Sequence, residues 1–169
     1  MNSKKVLILN HTQIQQKINR MAHQILEDNF DEKEIIVAGV VERGYRLALR
    51  IVAVLSKISD IKITVARIEL DKDSTKLESA IDIPISYCEN KVIILVDDVL
   101  NSGKTLAYGL GVFLNIPLKK LRSVVLINRS HKNFPVATDF VGLELSTVLK
   151  EHVTVVIGEK DQEDAVYLN

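Results

Sequence analysis

Residues 91–105, KVIILVDDVLNSGKT, restrict the fold more than any other part of the chain. Val92-Ile93-Ile94-Leu95-Val96 is a continuous apolar run. It is too short for a membrane span and lacks the alternation of a strand with one wet face, so it fits a central parallel strand covered on both sides. Asp97 and Asp98 follow at once, then a short polar turn with Gly103, and after Thr105 the apolar residues recur at helical spacing. A strand, an acidic loop and a helix N-terminus are therefore expected in one short segment.

Other segments repeat the theme. Residues 6–9 predict a short strand, followed by a helix with Thr12 as N-cap and an apolar stripe of Ile14, Ile18, Met21, Ala22, Ile25 and Leu26. Residues 35–41 predict a second buried strand that ends in Glu42-Arg43-Gly44, with a helix over about 45–56 after it. Residues 62–70 predict another strand. Residues 71–80, DKDSTKLESA, are polar and aperiodic, the pattern of a mobile surface loop of the lid type. Residues 81–87 suggest a hairpin arm around Pro84. A helix over 105–115 contains Gly109 and Gly111, which imply close packing on the sheet, and Pro117 ends it. A third buried strand is expected at 123–127, further strands at 140–143 and 153–157, and an edge strand at most in the tail.

Strands alternating with helices predict an α/β fold, with a mostly parallel, doubly wound sheet and helices on both faces, in a single domain over residues 1–169. At 47% hydrophobic content, 169 residues can bury one substantial core. The 22 basic side chains balance the 22 acidic ones, so total charge calls for no polyanionic partner and leaves only a local basic face open. Cys88, the single cysteine, cannot form an internal disulfide. No apolar run approaches the ~18 residues of a membrane helix, and the first apolar stretch is short for a signal peptide. A cytoplasmic protein with no membrane partner is expected.

In such sheets ligands bind outside the carboxyl ends of the strands. Glu42-Arg43-Gly44, residues 97–105 and residues 128–132 would meet there. Ser102-Gly103-Lys104-Thr105 offers free backbone N–H groups, two hydroxyls and the positive end of a helix dipole, a combination suited to phosphate. Asp97 and Asp98 would repel that phosphate and suit hydroxyl donors or a hydrated Mg²⁺. Arg43 fits a second anion site, its alternative being an ordinary surface salt bridge. An ATP-binding P-loop would need glycine where Asp98 stands. Receiver-like domains also pair aspartates after a strand, but lack the phosphate-binding turn that follows here. Cys88 has no Cys/His/Asp set to make it a nucleophile.

VIILVDDVLNSGKT resembles the thirteen-residue PRPP motif of type I phosphoribosyltransferases. The likeness extends over nearly the whole chain to the PyrR-like branch, bacterial uracil phosphoribosyltransferases that also regulate pyrimidine operons by binding mRNA. VDDVLNSGKT is similar to their VDDVLYTGRT, INRSHKNFPVATDFVG to their VDRGHRELPIRADYVG, and GVVERG to their GIKTRG. The resemblance implies the type I fold with a small C-terminal hood, and a reaction in which PRPP and uracil give UMP and pyrophosphate. It implies that Asp97 and Asp98 hold the ribose hydroxyls and help position Mg²⁺. Asn101, Ser102, Gly103, Lys104 and Thr105 would cradle the 5-phosphate, while Glu42, Arg43 and Gly44 would line the pyrophosphate site, with Arg43 catalytic beside the two aspartates. Asn128, Phe140 and Val141 would face the base, and residues 71–80 would form the closing loop. A homodimer is implied as well.

The chain also departs from that pattern. Asn101 stands where purine-handling relatives carry an aspartate thought to act on the base, and an amide takes no proton at neutral pH, so the usual purine mechanism is disfavoured. Asn128 replaces an aspartate, and the loop after Leu70 is shortened. Arg20, His23, His131 and Lys132 resemble the RNA-binding face, but Ala137 and Leu143 stand where the branch has Arg and Lys. The expected activity is therefore uracil phosphoribosyl transfer, with RNA-binding regulation as the alternative and a purine base as a second alternative.

Overall fold

The computed structural model describes residues 5–71, 79–129, 131–159 and 161–169. Their order is β1 (Val6–Leu9), α1 (His11–Asp28), β2 (Glu34–Val40), α2 (Arg43–Ile58), β3 (Lys62–Leu70), β4 (Ser79–Ile81), a 3-10 turn (Ile85–Cys88), β5 (Val92–Leu100), α3 (Lys104–Gly111), β6 (Lys120–Asn128), β7 (Phe140–Glu144), β8 (Val153–Val156) and β9 (Ala165–Leu168). The main sheet runs β4-β3-β2-β5-β6-β7, and β4, on the edge, is its antiparallel member. β5, the run that opened the sequence reading, lies between β2 and β6 and pairs in parallel with both.

The period of two along these strands builds the layers. Ile35 and Val37 of β2, with Val92, Ile94 and Val96 of β5, face α1 and α2; Ile36, Ala38 and Val40, with Ile93 and Leu95, face the side that carries α3. Both faces are buried, which is why the runs read as unbroken apolar stretches rather than alternating ones. Each of these large side chains removes enough surface to contribute about 1.5–3 kcal/mol. A second sheet, β1-β9-β8, stands beside the first as a small hood, and its Leu9, Val155 and Val166 join the α1/α2 layer. The expected α/β architecture with a hood is present.

Several boundaries differ from expectation for local reasons. α1 is capped by Asn10 rather than Thr12, because Asn10 and Gln13 exchange side-chain to backbone hydrogen bonds of 2.9 Å in a reciprocal box. α2 starts two residues earlier than predicted, at Arg43. α3 ends at Gly111, well before Pro117. Gly109 does lie against the sheet, where a Cβ would meet Leu95 at 3.2 Å, whereas Gly111 has open space. The stretch 81–87 forms the end of β4 and then a 3-10 turn, not a hairpin arm. β9 is no edge strand: it is the middle of the hood, paired with β1 and β8. Of the predicted loop 71–80, residues 72–78 lie outside the described residues, and Ser79 and Ala80 belong to β4. Among the described residues no helix is long and apolar enough to cross a membrane.

Candidate active site

A cavity of about 480 Å³ opens at the carboxyl ends of β2 and β5. Val41, Glu42, Arg43, Asp97, Asp98, Val99, Asn101, Thr105, Arg129, His152 and Val153 line it. A smaller recess of about 100 Å³ continues from it under residues 99–106. Asp97 and Asp98 lie within β5, not after it, since Asp97 is still in register with Val125 and Leu100 with Asn128. The strand's pleat separates the two acids: Asp97 is buried at 7% exposure, and its Oδ1 accepts the Asp98 N–H at 2.9 Å.

Two helix N-termini flank these acids, and both differ from α1. α2 has Glu42 and α3 has Gly103 at its N-cap, and neither N-cap side chain makes the capping hydrogen bond, although Ser102 Oγ accepts the Lys104 N–H at 3.2 Å. Free N–H groups at a helix start normally find a capping oxygen, a contact worth about 1 kcal/mol, and α1 shows that this chain builds one where nothing else is needed. Glu42 and Arg43 at one end and Thr105 at the other line the cavity, and helix N-termini so placed suit an anion. Gly103 takes a left-handed φ of 85°, which turns the chain from the recess into α3. Residues 133 and 134 brace that turn by donating backbone N–H groups to the Ser102 carbonyl at 2.8 and 3.1 Å.

Charge is arranged in the same sense. Arg43 Nη1 lies 3.6 Å from Asp98 Oδ2. Glu42 would repel an anion, but its carboxylate is paired at 2.6 Å with Arg67 from β3. Gly44 does not line the cavity. It lets α2 approach β5, since a Cβ there would sit 2.7 Å from the Val96 carbonyl oxygen and 2.9 Å from Asp97 Cα.

Arg43, Asp97, Asp98 and the loop from Asn101 to Thr105 thus meet as the sequence suggested, with Glu42 at the rim. Asn128, Phe140 and Val141 are not on the cavity wall. Asn128 Nδ2 donates to Glu144 on β7 at 3.1 Å, and Phe140 and Val141 pack against the apolar layers. The next residue, Arg129, turns inward in their place. It is 5% exposed, and its guanidinium donates to Asn101 Oδ1 (3.1 Å), Thr147 Oγ1 (3.0 Å), the Glu151 carbonyl (2.6 Å) and the Val148 carbonyl (3.4 Å). Arg129, His152 and Val153 were missed because hood and sheet meet only in three dimensions. The signal for Arg129 was a charged residue directly after a buried strand.

The residues resembling an RNA-binding face are partly engaged. Arg20 Nη2 donates to the Val141 and Gly142 carbonyls on β7 at 3.0 and 2.7 Å, and His131 Nε2 lies 2.7 Å from the Thr147 carbonyl. Cys88 is buried, and burial pushes its thiol pKa up, away from nucleophile chemistry.

Comparison with known proteins agrees with this fold. The model of the phosphoribosyl transferase domain matches residues 7–164. The chain is 33% identical to the Bifunctional protein PyrR of Clostridium novyi over 96% of both chains, and 32% identical to that of Bacillus subtilis over 99% of both. In fold it is similar to a hypoxanthine phosphoribosyl transferase of Trypanosoma cruzi (TM-score 0.78, 15% identity, 97% of this chain and 91% of the other). A hypoxanthine-guanine phosphoribosyltransferase of Bacillus anthracis gives a TM-score of 0.72 at 20% identity, over 88% and 86%. A family model spanning almost the whole chain, and relatives above 30% identity along nearly their full length, show that the chain belongs to the phosphoribosyl transferase family, in its PyrR-like branch.

Proposed function

We propose that this phosphoribosyltransferase transfers the phosphoribosyl group of PRPP to uracil, giving UMP and pyrophosphate. The observation that carries the reading is the pair of helix N-termini without an N-cap side-chain hydrogen bond on either side of the Asp97/Asp98 strand end. PRPP has the complementary order: a phosphate, a diol, then a diphosphate. Its 5-phosphate suits the recess from Asn101 to Thr105, and its ribose hydroxyls donate to Asp97 and Asp98. The diphosphate suits Arg43 and the first turn of α2.

In the reaction the bond from the anomeric carbon to the diphosphate oxygen breaks, a bond to the base nitrogen forms, and that nitrogen's proton is released. The transition state has oxocarbenium character, as in glycoside chemistry. Asp97 and Asp98 place negative charge beside the cationic ring, and Arg43 neutralises the departing diphosphate. The Glu42–Arg67 pair keeps a free carboxylate away from the leaving group. Asp97 and Asp98 offer the hard oxygens that Mg²⁺ prefers. Among the described residues no cluster of three or more His, Cys, Asp or Glu side chains could hold a metal. When bound, Mg²⁺ supplies charge neutralisation at the diphosphate oxygens.

Uracil is favoured by the relatives' branch and by Asn101, an amide that cannot serve as the base for a purine. A panel of uracil, cytosine, hypoxanthine and guanine with PRPP and Mg²⁺ tests the assignment. Nucleotide from uracil is expected, and nucleotide from hypoxanthine or guanine alone overturns it. RNA-binding regulation is the second reading, supported by relatives named bifunctional. Steep salt-dependent affinity for pyrimidine leader RNA over a scrambled sequence supports it, and equal affinity excludes it. We also propose a homodimer. Light scattering that gives one chain's mass across micromolar concentrations sinks that part.

A further inference from the structure

We infer that Arg129 is a positioning residue that assembles two walls of the cavity, tying the segment before β8 to the loop that opens the phosphate recess. The inference rests on the proposed use of that recess and names the side chain that sets its distance from the hood. Between Glu144, the end of β7, and Val153, the start of β8, the chain forms neither helix nor strand. Apolar burial does not hold its turn, where Val148 and Leu149 are 64% and 84% exposed. Carbonyls outside regular structure still need donors, and two side chains beyond the end of β6 supply them. Arg129 Nη2 donates to the Glu151 carbonyl at 2.6 Å and to the Val148 carbonyl at 3.4 Å, and its Nε donates to Thr147 Oγ1 at 3.0 Å. His131 Nε2 lies 2.7 Å from the Thr147 carbonyl.

The same guanidinium holds the other wall. Its Nη1 donates to Oδ1 of Asn101, the first residue after β5, at 3.1 Å. Asn101 lines both the cavity and the recess, while His152 and Val153, directly after the tethered segment, line the cavity from the hood side. Among the described residues Asn101 and Thr147 share no hydrogen bond with each other, so the guanidinium is what joins them. A planar fork fixes the directions of its bonds together, and a shift of either wall therefore strains the contacts to the other. Arg129 is 5% exposed, and protein oxygens take four of the five N–H donors that a guanidinium carries. It acts through the groups it holds.

The test places Thr147→Val, Asn101→Ala and the double variant in the wild-type and Arg129→Lys backgrounds. Lysine keeps the charge but has no fork to span both walls. Hydrogen exchange of the free protein reads the amides of 101–105 and 145–153, and kinetics with PRPP and uracil read kcat and KM. Thr147→Val should speed exchange in 101–105 by about fivefold although it does not touch that loop, and Asn101→Ala should do the same to 147–151. On kcat/KM for PRPP, the two effects combined should fall short of their product by about fivefold in the wild type and should multiply in Arg129→Lys. Arg129→Lys alone should raise KM for PRPP by about tenfold, the scale of one good hydrogen bond.

Exchange that quickens only around the substituted residue, or effects that multiply in the wild type, overturns the inference and leaves Arg129 a merely structural side chain. Should Arg129→Lys fail to fold, the Asn101 and Thr147 variants decide the matter alone. Exchange needs no turnover. A protein that makes no nucleotide from uracil therefore overturns the transfer reading, while exchange still decides whether Arg129 couples the two walls.

Discussion

Arg43 Nη1 stands 3.6 Å from Asp98 Oδ2, a loose ion pair across the mouth of the cavity, with the arginine side chain 55% exposed. A pair this long and this exposed contributes at most about 1 kcal/mol, so an incoming diphosphate exchanges it at little cost. Arg43→Ala should leave the melting temperature within about 2 °C, since surface changes of this kind stay near 0.5 kcal/mol. It should lower kcat/KM by about 100-fold or more, as loss of a charge-stabilising donor does. Steady-state kinetics beside a thermal melt measure both, and unchanged kinetics remove Arg43 from the mechanism.

The two aspartates should respond differently. Asp98 is the more open of the pair, so Asp98→Asn should weaken PRPP binding with little loss of stability. Asp97 is buried and receives the Asp98 N–H at 2.9 Å. Asp97→Asn should weaken PRPP binding and also cost about 1–3 kcal/mol of stability, the usual range for a disturbed buried polar group. Calorimetric PRPP titration with Mg²⁺ and urea unfolding separate the two effects.

Gly44→Ala tests how α2 is seated. The new Cβ would lie 2.7 Å from the Val96 carbonyl oxygen, so helix or strand has to shift. Overpacking of this kind costs about 1–3 kcal/mol. Because the shift falls between Arg43 and Asp97, activity should drop further than stability alone explains. Circular dichroism melts and kcat/KM on the same preparation check this.

Acid should destabilise the fold through groups far from the cavity. The Tyr87 hydroxyl donates to Glu34 and, with Lys62 and Lys91 nearby, holds its carboxyl below the usual range. Burial pushes Asp28 up, but hydrogen bonds from Lys120 and Arg122 outweigh it and leave that carboxyl lowered too. Both groups are depressed in the folded state. Their stabilisation is therefore fully present above the unfolded values near pH 4 and is lost as pH falls through the lower folded ones. Tyr87→Phe should reduce stability at pH 7 and flatten the loss between about pH 5 and 3. Melting temperature against pH for both proteins gives the comparison.

What the sequence made legible was whatever is contiguous in it. β5, the two acids, Gly103 and the start of α3 adjoin one another in the chain, so one window displayed most of the edge proposed to bind PRPP. Arg43 was readable for the same reason, as the polar end of a buried run. Arg129, His152 and Val153 were not, because they share the cavity only when the hood strand β8 comes against β5, a contact without local signature. Asn128 was placed at the base by position, but strand alternation points it to Glu144 and points its neighbour inward. The α1 cap was expected at Thr12 but forms at Asn10; both are good capping residues with a glutamine three positions on, Gln15 and Gln13, so the local pattern does not choose between them.

The central claim is tested most directly by incubating the purified chain with PRPP, Mg²⁺ and radiolabelled uracil, and following UMP and pyrophosphate together. UMP and pyrophosphate should appear in equal amounts, and the Asp97→Asn/Asp98→Asn double variant should fall to background. Intact PRPP with no nucleotide from uracil, or product formation unchanged in the double variant, would contradict the account.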